Sequence, residues 1–71
     1  MNKTIEAKTI AKNIKNFRLS QKLTQIEMGE TLGYSERQIR RLETEGTYSL
    51  DVLNLIASIF DVSVMDFLMK S

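Results

Sequence analysis

The sequence contains no cysteine, no histidine and no proline in its 71 residues. Without cysteine the chain has neither disulfides nor a thiol nucleophile, and without histidine it lacks the commonest metal ligand and acid–base catalyst. No apolar run exceeds three residues, and residues 1–22 contain no apolar signal core. We therefore predict a cytoplasmic protein that is not an enzyme, with no membrane segment, no metal site and no small-molecule cofactor.

Charge is nearly balanced overall but unevenly distributed. The formal net charge of +1 is too small to indicate nucleic-acid binding by itself. Residues 1–22 contain six Lys or Arg against Glu6 alone, whereas residues 46–71 contain three Asp against Lys70. A chain of this length forms one small domain. We assign that domain to residues 9–71, with residues 1–8 as an N-terminal extension or the start of the first helix.

Apolar residues recur at helical spacing almost throughout, and no useful stretch alternates as a strand would. This pattern predicts an all-α fold. Four Ser or Thr residues stand where a helix N-cap is needed, and two of them have a Glu or Gln three residues later, as in a capping box. The caps are Thr24, Ser35, Ser49 and Ser63. The predicted helices are about residues 5–21, 25–32, 36 to 43 or 44, 50–60 and 64–69.

Gly29 lies in the middle of the second predicted helix, where glycine costs about 1 kcal/mol relative to alanine. One interpretation is a tolerated surface glycine. The other is close packing of the third helix, helped by the short connection that begins at Gly33. The spacing of Gly29, Gly33 and Ile39 is typical of a helix-turn-helix, whose second helix lies in the major groove of DNA.

At these residues the chain resembles the phage-repressor and Cro type of helix-turn-helix domain, which is XRE-like. The likeness covers about residues 9–69, including "LNLIASIFDVSVMDFL", which is similar to the last two helices of the family. It implies a five-helix, lambda-repressor-like DNA-binding domain with the helix-turn-helix at helices 2 and 3. The matching positions are Arg18, Thr24, Gln25, Met28, Gly29, Gly33, Ile39, Leu42 and Glu43.

The resemblance also implies roles for individual residues in binding double-stranded DNA. Arg37 and Arg41 are expected to read guanine, because a guanidinium fits guanine O6 and N7, and Glu36 could accept from cytosine. The alternative for this basic face is an ordinary solvated helix. The expected base-reading residues are Ser35, Glu36, Arg37 and Arg41; the expected phosphate-binding residues are Lys22, Thr24, Gln25, Arg40 and Thr47.

Arg18 and Glu43 are expected, again by resemblance, to form a structural ion pair between the first and third helices. The alternative is two independent surface charges. Gln25 is further expected to brace Glu36 or Arg37.

The last two predicted helices carry more apolar residues than one core face needs. Leu50, Leu53, Ile56, Ala57 and Phe60 would suffice for the core. Either the remaining apolar residues also finish the core, or they form a dimer interface, with Val64, Met65 and Phe67 as candidates.

The overall prediction is a sequence-specific DNA-binding transcriptional regulator, a repressor that binds a near-palindromic operator as a homodimer. The alternative is a protein-interaction module, such as an antirepressor or antitoxin-like adaptor, that uses helices 4 and 5.

Overall fold

The computed structural model describes residues 5–69, and this part of the chain forms five helices without a strand. The helices are α1 (Ala7–Ser20), α2 (Gln25–Leu32), α3 (Glu36–Glu45), α4 (Leu50–Phe60) and α5 (Met65–Leu68). The all-α, five-helix prediction is confirmed. No helix among the described residues is long and apolar enough to cross a membrane.

Helix boundaries follow the sequence signals closely in the middle of the chain. The bounds of α2 and α4 coincide with those predicted, α3 continues one residue past Thr44, and α1 begins at Ala7 instead of residue 5. The predicted N-terminal extension and domain include residues 1–4 and 70–71, which lie outside the described residues.

Side-chain caps begin three of the helices as predicted. The hydroxyls of Thr24 and Ser35 accept from the amides of Glu27 and Gln38 in complete capping boxes. The Ser49 hydroxyl accepts from Val52 at the start of α4. Ser63 stands one position further from its helix than predicted, because α5 begins at Met65, whose amide the Ser63 hydroxyl accepts at 3.1 Å.

One apolar core joins all five helices. Phe17 packs edge-on against Phe60 and Phe67, with ring centroids 5.1 and 5.2 Å away. The prediction that Leu50 faces the core is wrong: it is 60% exposed, because the core is covered at the start of α4 by Leu53, which is 2% exposed, with Val52 packed beside it. The largest fully buried side chains are Ile10, Ile14, Met28, Ile39, Ile56 and Phe67.

A buried polar side chain fastens the C-terminal segment to α1. The Asn13 side-chain amide donates to the carbonyls of Phe67 at 2.9 Å and Met69 at 2.7 Å. Because α5 has only four residues, it cannot stabilise itself as a helix and depends on such contacts.

The turn between α2 and α3 explains Gly29. A Cβ at Gly29 would overlap the carbonyl oxygen of Tyr34 and lie 3.5 Å from Cγ1 of Ile39. The interpretation of close packing is therefore confirmed, although the tightest contact is with the turn and not with α3 itself. Gly33 ends α2 at φ +82°, as predicted.

The loop after α3 is fastened to the start of α1. Gly46 has φ +77°, and a Cβ there would overlap the carbonyl oxygen of Ala7. The Tyr48 hydroxyl donates to the carbonyl of Ile5 at 2.9 Å. These contacts fix the C-terminal end of α3 relative to α1.

Candidate nucleic-acid interface

A buried network holds α3 in place from its inward side. Arg18 Nε donates to Glu43 Oε2 at 2.6 Å and Arg18 Nη2 donates to Glu43 Oε1 at 3.1 Å, with the two side chains only 9% and 3% exposed. Arg18 Nη1 also donates to the Leu23 carbonyl at 2.7 Å. Arg18 therefore joins α1, the loop before α2 and the end of α3.

Gln25 extends this network to the first residue of α2. Its side-chain amide donates to Glu43 Oε1 at 3.2 Å. The expectation that Gln25 braces Glu36 or Arg37 is not met in the structure, because Glu43 takes the amide. The contact brings the N-terminus of α2 against the C-terminal half of α3.

The outward face of α3 presents the residues expected to read bases. Glu36, Arg37, Arg40 and Arg41 are all exposed, whereas Ile39 is fully buried and holds the helix to the core. Ser35 is exposed at the N-cap, where its oxygen accepts from Gln38 and its O–H remains able to donate. The expected base-reading residues thus lie on or beside one exposed helical face.

Two of the three outward arginines are paired with carboxylates on their own helix. Arg40 lies 3.5 Å from Glu36, and Arg41 lies 3.5 Å from Glu45; all four side chains are at least 44% exposed. Such i, i+4 pairs contribute about 0.3–0.5 kcal/mol in water. They are weak enough for DNA to displace.

The residues expected to bind phosphate fall on the two flanks of α3. Gln25 contacts Glu43, so Gln25 and the capping Thr24 lie on one flank. On the other flank an open groove of about 380 Å³ separates α3 from the following loop, and its lining includes Arg41 and Thr47. A helix in the major groove has a phosphate backbone on each side, and this arrangement matches that geometry.

The residues expected to bind phosphate differ in the donors and charges that their existing contacts leave available. Lys22 is exposed and has φ +60°, an uncommon backbone conformation for a residue with a side chain. The Thr24 and Thr47 oxygens already accept from the amides of Glu27 and Ser49, so each hydroxyl offers chiefly its proton. Arg40 is exposed but paired with Glu36.

The three candidate dimer residues do not share a surface. Phe67 is 0% exposed and belongs to the core, so the expectation that it contacts a second copy is wrong for this fold. The physical reason is that α5 packs against α1 through Phe67, which leaves its other face to solvent. Met65 is 54% exposed and Val64 half-buried, and both remain available.

Sequence reasoning missed several contacts. Glu45 pairs with Arg41 at i, i+4, a spacing that is visible in the sequence. The bonds made by Gln25, Asn13 and Tyr48 join residues at least 18 positions apart, and no local pattern indicates them.

Comparison with known families gives one clear result. The family model described as helix-turn-helix matches residues 14–67, which is more than half of the chain. The matched range begins inside α1 and ends at Phe67 of α5, so it includes both flanks of α3. No curated protein matches the chain.

Proposed function

Because the chain belongs to the XRE-type helix-turn-helix family of DNA-binding regulators, we propose that it is a repressor that binds a near-palindromic operator as a homodimer. Occupying a promoter needs only binding, so steric repression requires no further activity from the chain. In this proposal residues 9–71 act as a single DNA-binding domain. The observation that carries the proposal is the outward face of α3, which is rich in arginine and flanked on both sides by polar groups.

Base readout is assigned to the exposed side of α3 and its cap. Arg37 and Arg41 each carry a two-pronged donor suited to guanine, and a good bidentate contact is worth about 1–3 kcal/mol of discrimination. Ser35 can donate to a base edge or phosphate. Glu36 accepts from cytosine and disfavours other bases, because a carboxylate left without a donor beside the DNA is costly.

Phosphate contacts are assigned to both flanks of α3. On one flank, the first-turn amides of Gln25 and Ile26 have no helical carbonyl to bond, and Thr24 and Lys22 stand beside them. On the other flank, Thr47 offers a hydroxyl. Arg40 is assigned to the first flank because it lies one turn before Glu43, which contacts Gln25. Its contact with phosphate would replace its ion pair with Glu36.

Homodimerisation is assigned to the apolar surface of α4 and α5 that the core leaves exposed. It includes Met65, which is 54% exposed, and Ile59, which is 43% exposed, with the half-buried Val64 beside Met65. Two copies joined here would present two α3 helices to successive major grooves of a symmetric site.

Selection from a library of randomised duplexes with the purified protein tests the proposal. We expect an enriched motif made of two inverted half-sites centred about 10 base pairs apart, with guanine prominent in each. An unpaired single half-site would contradict the dimer but not specific binding. If no motif is enriched, specific recognition is wrong and the protein-interaction alternative gains support.

A further inference from the structure

The positive charges of the described residues divide into a paired and an unpaired group. All three ion pairs within residues 5–69 use an arginine, and none uses a lysine. The recognition helix α3 carries three Glu and three Arg, so its side chains have no net charge. Glu43 is buried against Arg18, so the outward face of α3 has three Arg against Glu36 and Glu45, an excess of one positive charge. Most of the other unpaired positive charges within residues 5–69 lie on another helix.

The unpaired positive charges are concentrated on α1. Lys8, Lys12 and Lys15 are exposed and stand at i, i+4 and i+7, so they share one face of the helix, which we call the lysine face. By contrast, α2 contains Glu27 and Glu30 but no basic residue, and the one charged residue of α4 is Asp51.

The position of the lysine face is fixed by the contacts of its neighbours on α1. Lys15 is one turn from Arg18, which bonds Glu43 of α3 and the Leu23 carbonyl just before α2. Asn13, which binds the C-terminal segment, lies on the other side of α1. Lys15 therefore lies near the flank of α3 where α2 begins, whereas Lys8 follows Ala7, whose carbonyl lies against Gly46. The lysine face extends along α1 from the α2 side toward the loop after α3.

We infer that the lysine face binds the sugar-phosphate backbone of the duplex, beyond the base pairs that α3 reads. This inference rests on the proposed function only in taking duplex DNA as the partner. DNA affinity depends strongly on how many phosphates a protein neutralises. Because Arg40 and Arg41 are paired with Glu36 and Glu45, the three lysines are the largest group of unpaired positive charges within residues 5–69. They attract DNA without reading it, whereas α3 reads it with little net attraction.

The test compares two charge-changing triple variants with wild type. In the first, Lys8→Gln, Lys12→Gln and Lys15→Gln remove three positive charges from the lysine face. In the matched control, exposed residues of α2 and α4 gain three negative charges, so the net charge changes equally but away from the lysine face. The control substitutions are Thr31→Glu, Asn54→Asp and Ser58→Asp.

Affinity for one fixed 20-base-pair duplex of random sequence is measured by fluorescence anisotropy at several KCl concentrations. Each lost phosphate contact changes the slope of log K against log salt by about 0.9. For the glutamine triple we expect a slope smaller by about two to three and an affinity about 100-fold lower at 0.1 M salt. Replacing the same lysines with arginine should restore both. Circular dichroism checks that each variant remains helical.

Three results would overturn the inference: an unchanged slope in the glutamine triple, an equal change in the control triple, or, by sedimentation without DNA, dissociation of a wild-type dimer in the glutamine triple whose DNA binding is unchanged. The last would mean that the lysine face binds a second copy. The proposed function fails separately, by the absence of any selected motif for the wild-type protein. The salt slopes on a random duplex still test the lysine face in that case.

Discussion

Two kinds of Arg–Glu ion pair meet on α3, and they differ in burial. The Arg18–Glu43 pair is bidentate and almost completely buried, and Gln25 and the Leu23 carbonyl complete its hydrogen bonds. The Glu36–Arg40 and Arg41–Glu45 pairs are exposed and single-pronged at 3.5 Å. Removing one partner of the buried pair leaves an uncompensated charge in the interior, whereas water replaces either partner of an exposed pair. The buried ion pair therefore holds α3 to the body of the domain, whereas the exposed ion pairs leave Arg40 and Arg41 able to change partners.

The largest expected effect is on the buried pair. Glu43→Ala should lower the free energy of unfolding by about 3–5 kcal/mol, because Arg18 would remain buried without its partner. Urea unfolding followed by circular dichroism measures the change. Replacing both residues at once, as Arg18→Met with Glu43→Leu, should recover much of the loss. A loss below about 1 kcal/mol for Glu43→Ala would remove the distinction between the two kinds of pair.

The next largest effect is expected at Arg37, on the exposed face of α3, where substitution should change DNA binding and not stability. Arg37→Ala should weaken binding to the selected operator by about 1–3 kcal/mol and relax preference at one base position, because Arg37 has no ion pair within residues 5–69 that competes with DNA. Anisotropy titration and a repeated selection measure the two effects. Asn54→Ala, on the exposed face of α4, serves as the control. Loss of stability with unchanged base preference would instead make Arg37 a structural residue.

Gln25 tests how far the buried network extends. Gln25→Ala should destabilise the free protein by about 1 kcal/mol, because Glu43 loses one of its donors in a partly buried position. Thermal or urea unfolding without DNA isolates this effect from any phosphate contact. Gln21→Ala, at an exposed position after α1, should change stability much less. Equal effects of the two substitutions would exclude Gln25 from the network.

The smallest expected effect on stability concerns the exposed pair of Arg41 with Glu45. Glu45→Gln should change stability by less than about 0.5 kcal/mol, since the pair with Arg41 is exposed. Affinity for duplex DNA should nevertheless rise a few-fold, because Arg41 is released and a carboxylate near phosphate is removed. Glu30→Gln gives the same change in charge on α2. If both variants gain affinity equally, overall charge explains the result and the pair does not.

Sequence reasoning succeeded where structure depends on neighbours within one helical turn. The capping boxes at Thr24 and Ser35 and the bounds of α2 follow from residues three or four positions apart. Phe67 and Leu50 were assigned wrongly because periodicity identifies apolar positions but does not say which of them the neighbouring helix covers. The bond from Gln25 to Glu43 depends on how α2 and α3 cross, which no local pattern specifies.

The candidate site was predictable in part by resemblance. The resemblance to the family indicated the exposed arginines of α3 and the pairing of Arg18 with Glu43. It did not indicate that α3 has no net charge, although the three Glu and three Arg are visible in the sequence. Which of these charges neutralise one another depends on the ion pairs, which only the structure shows.

The side-chain amide of Asn13 has a consequence for how the molecule fluctuates. It bonds two carbonyls of a segment that contains a single turn of helix, so release of that segment must break both bonds together with the packing of Phe67. Local opening of α5 should therefore be a distinct event, less costly than global unfolding and visible as early amide hydrogen exchange from Phe67 to Met69. Since Met65 belongs to the proposed dimer surface, the lifetime of that surface would depend on Asn13 and Phe67, which hold the segment to α1.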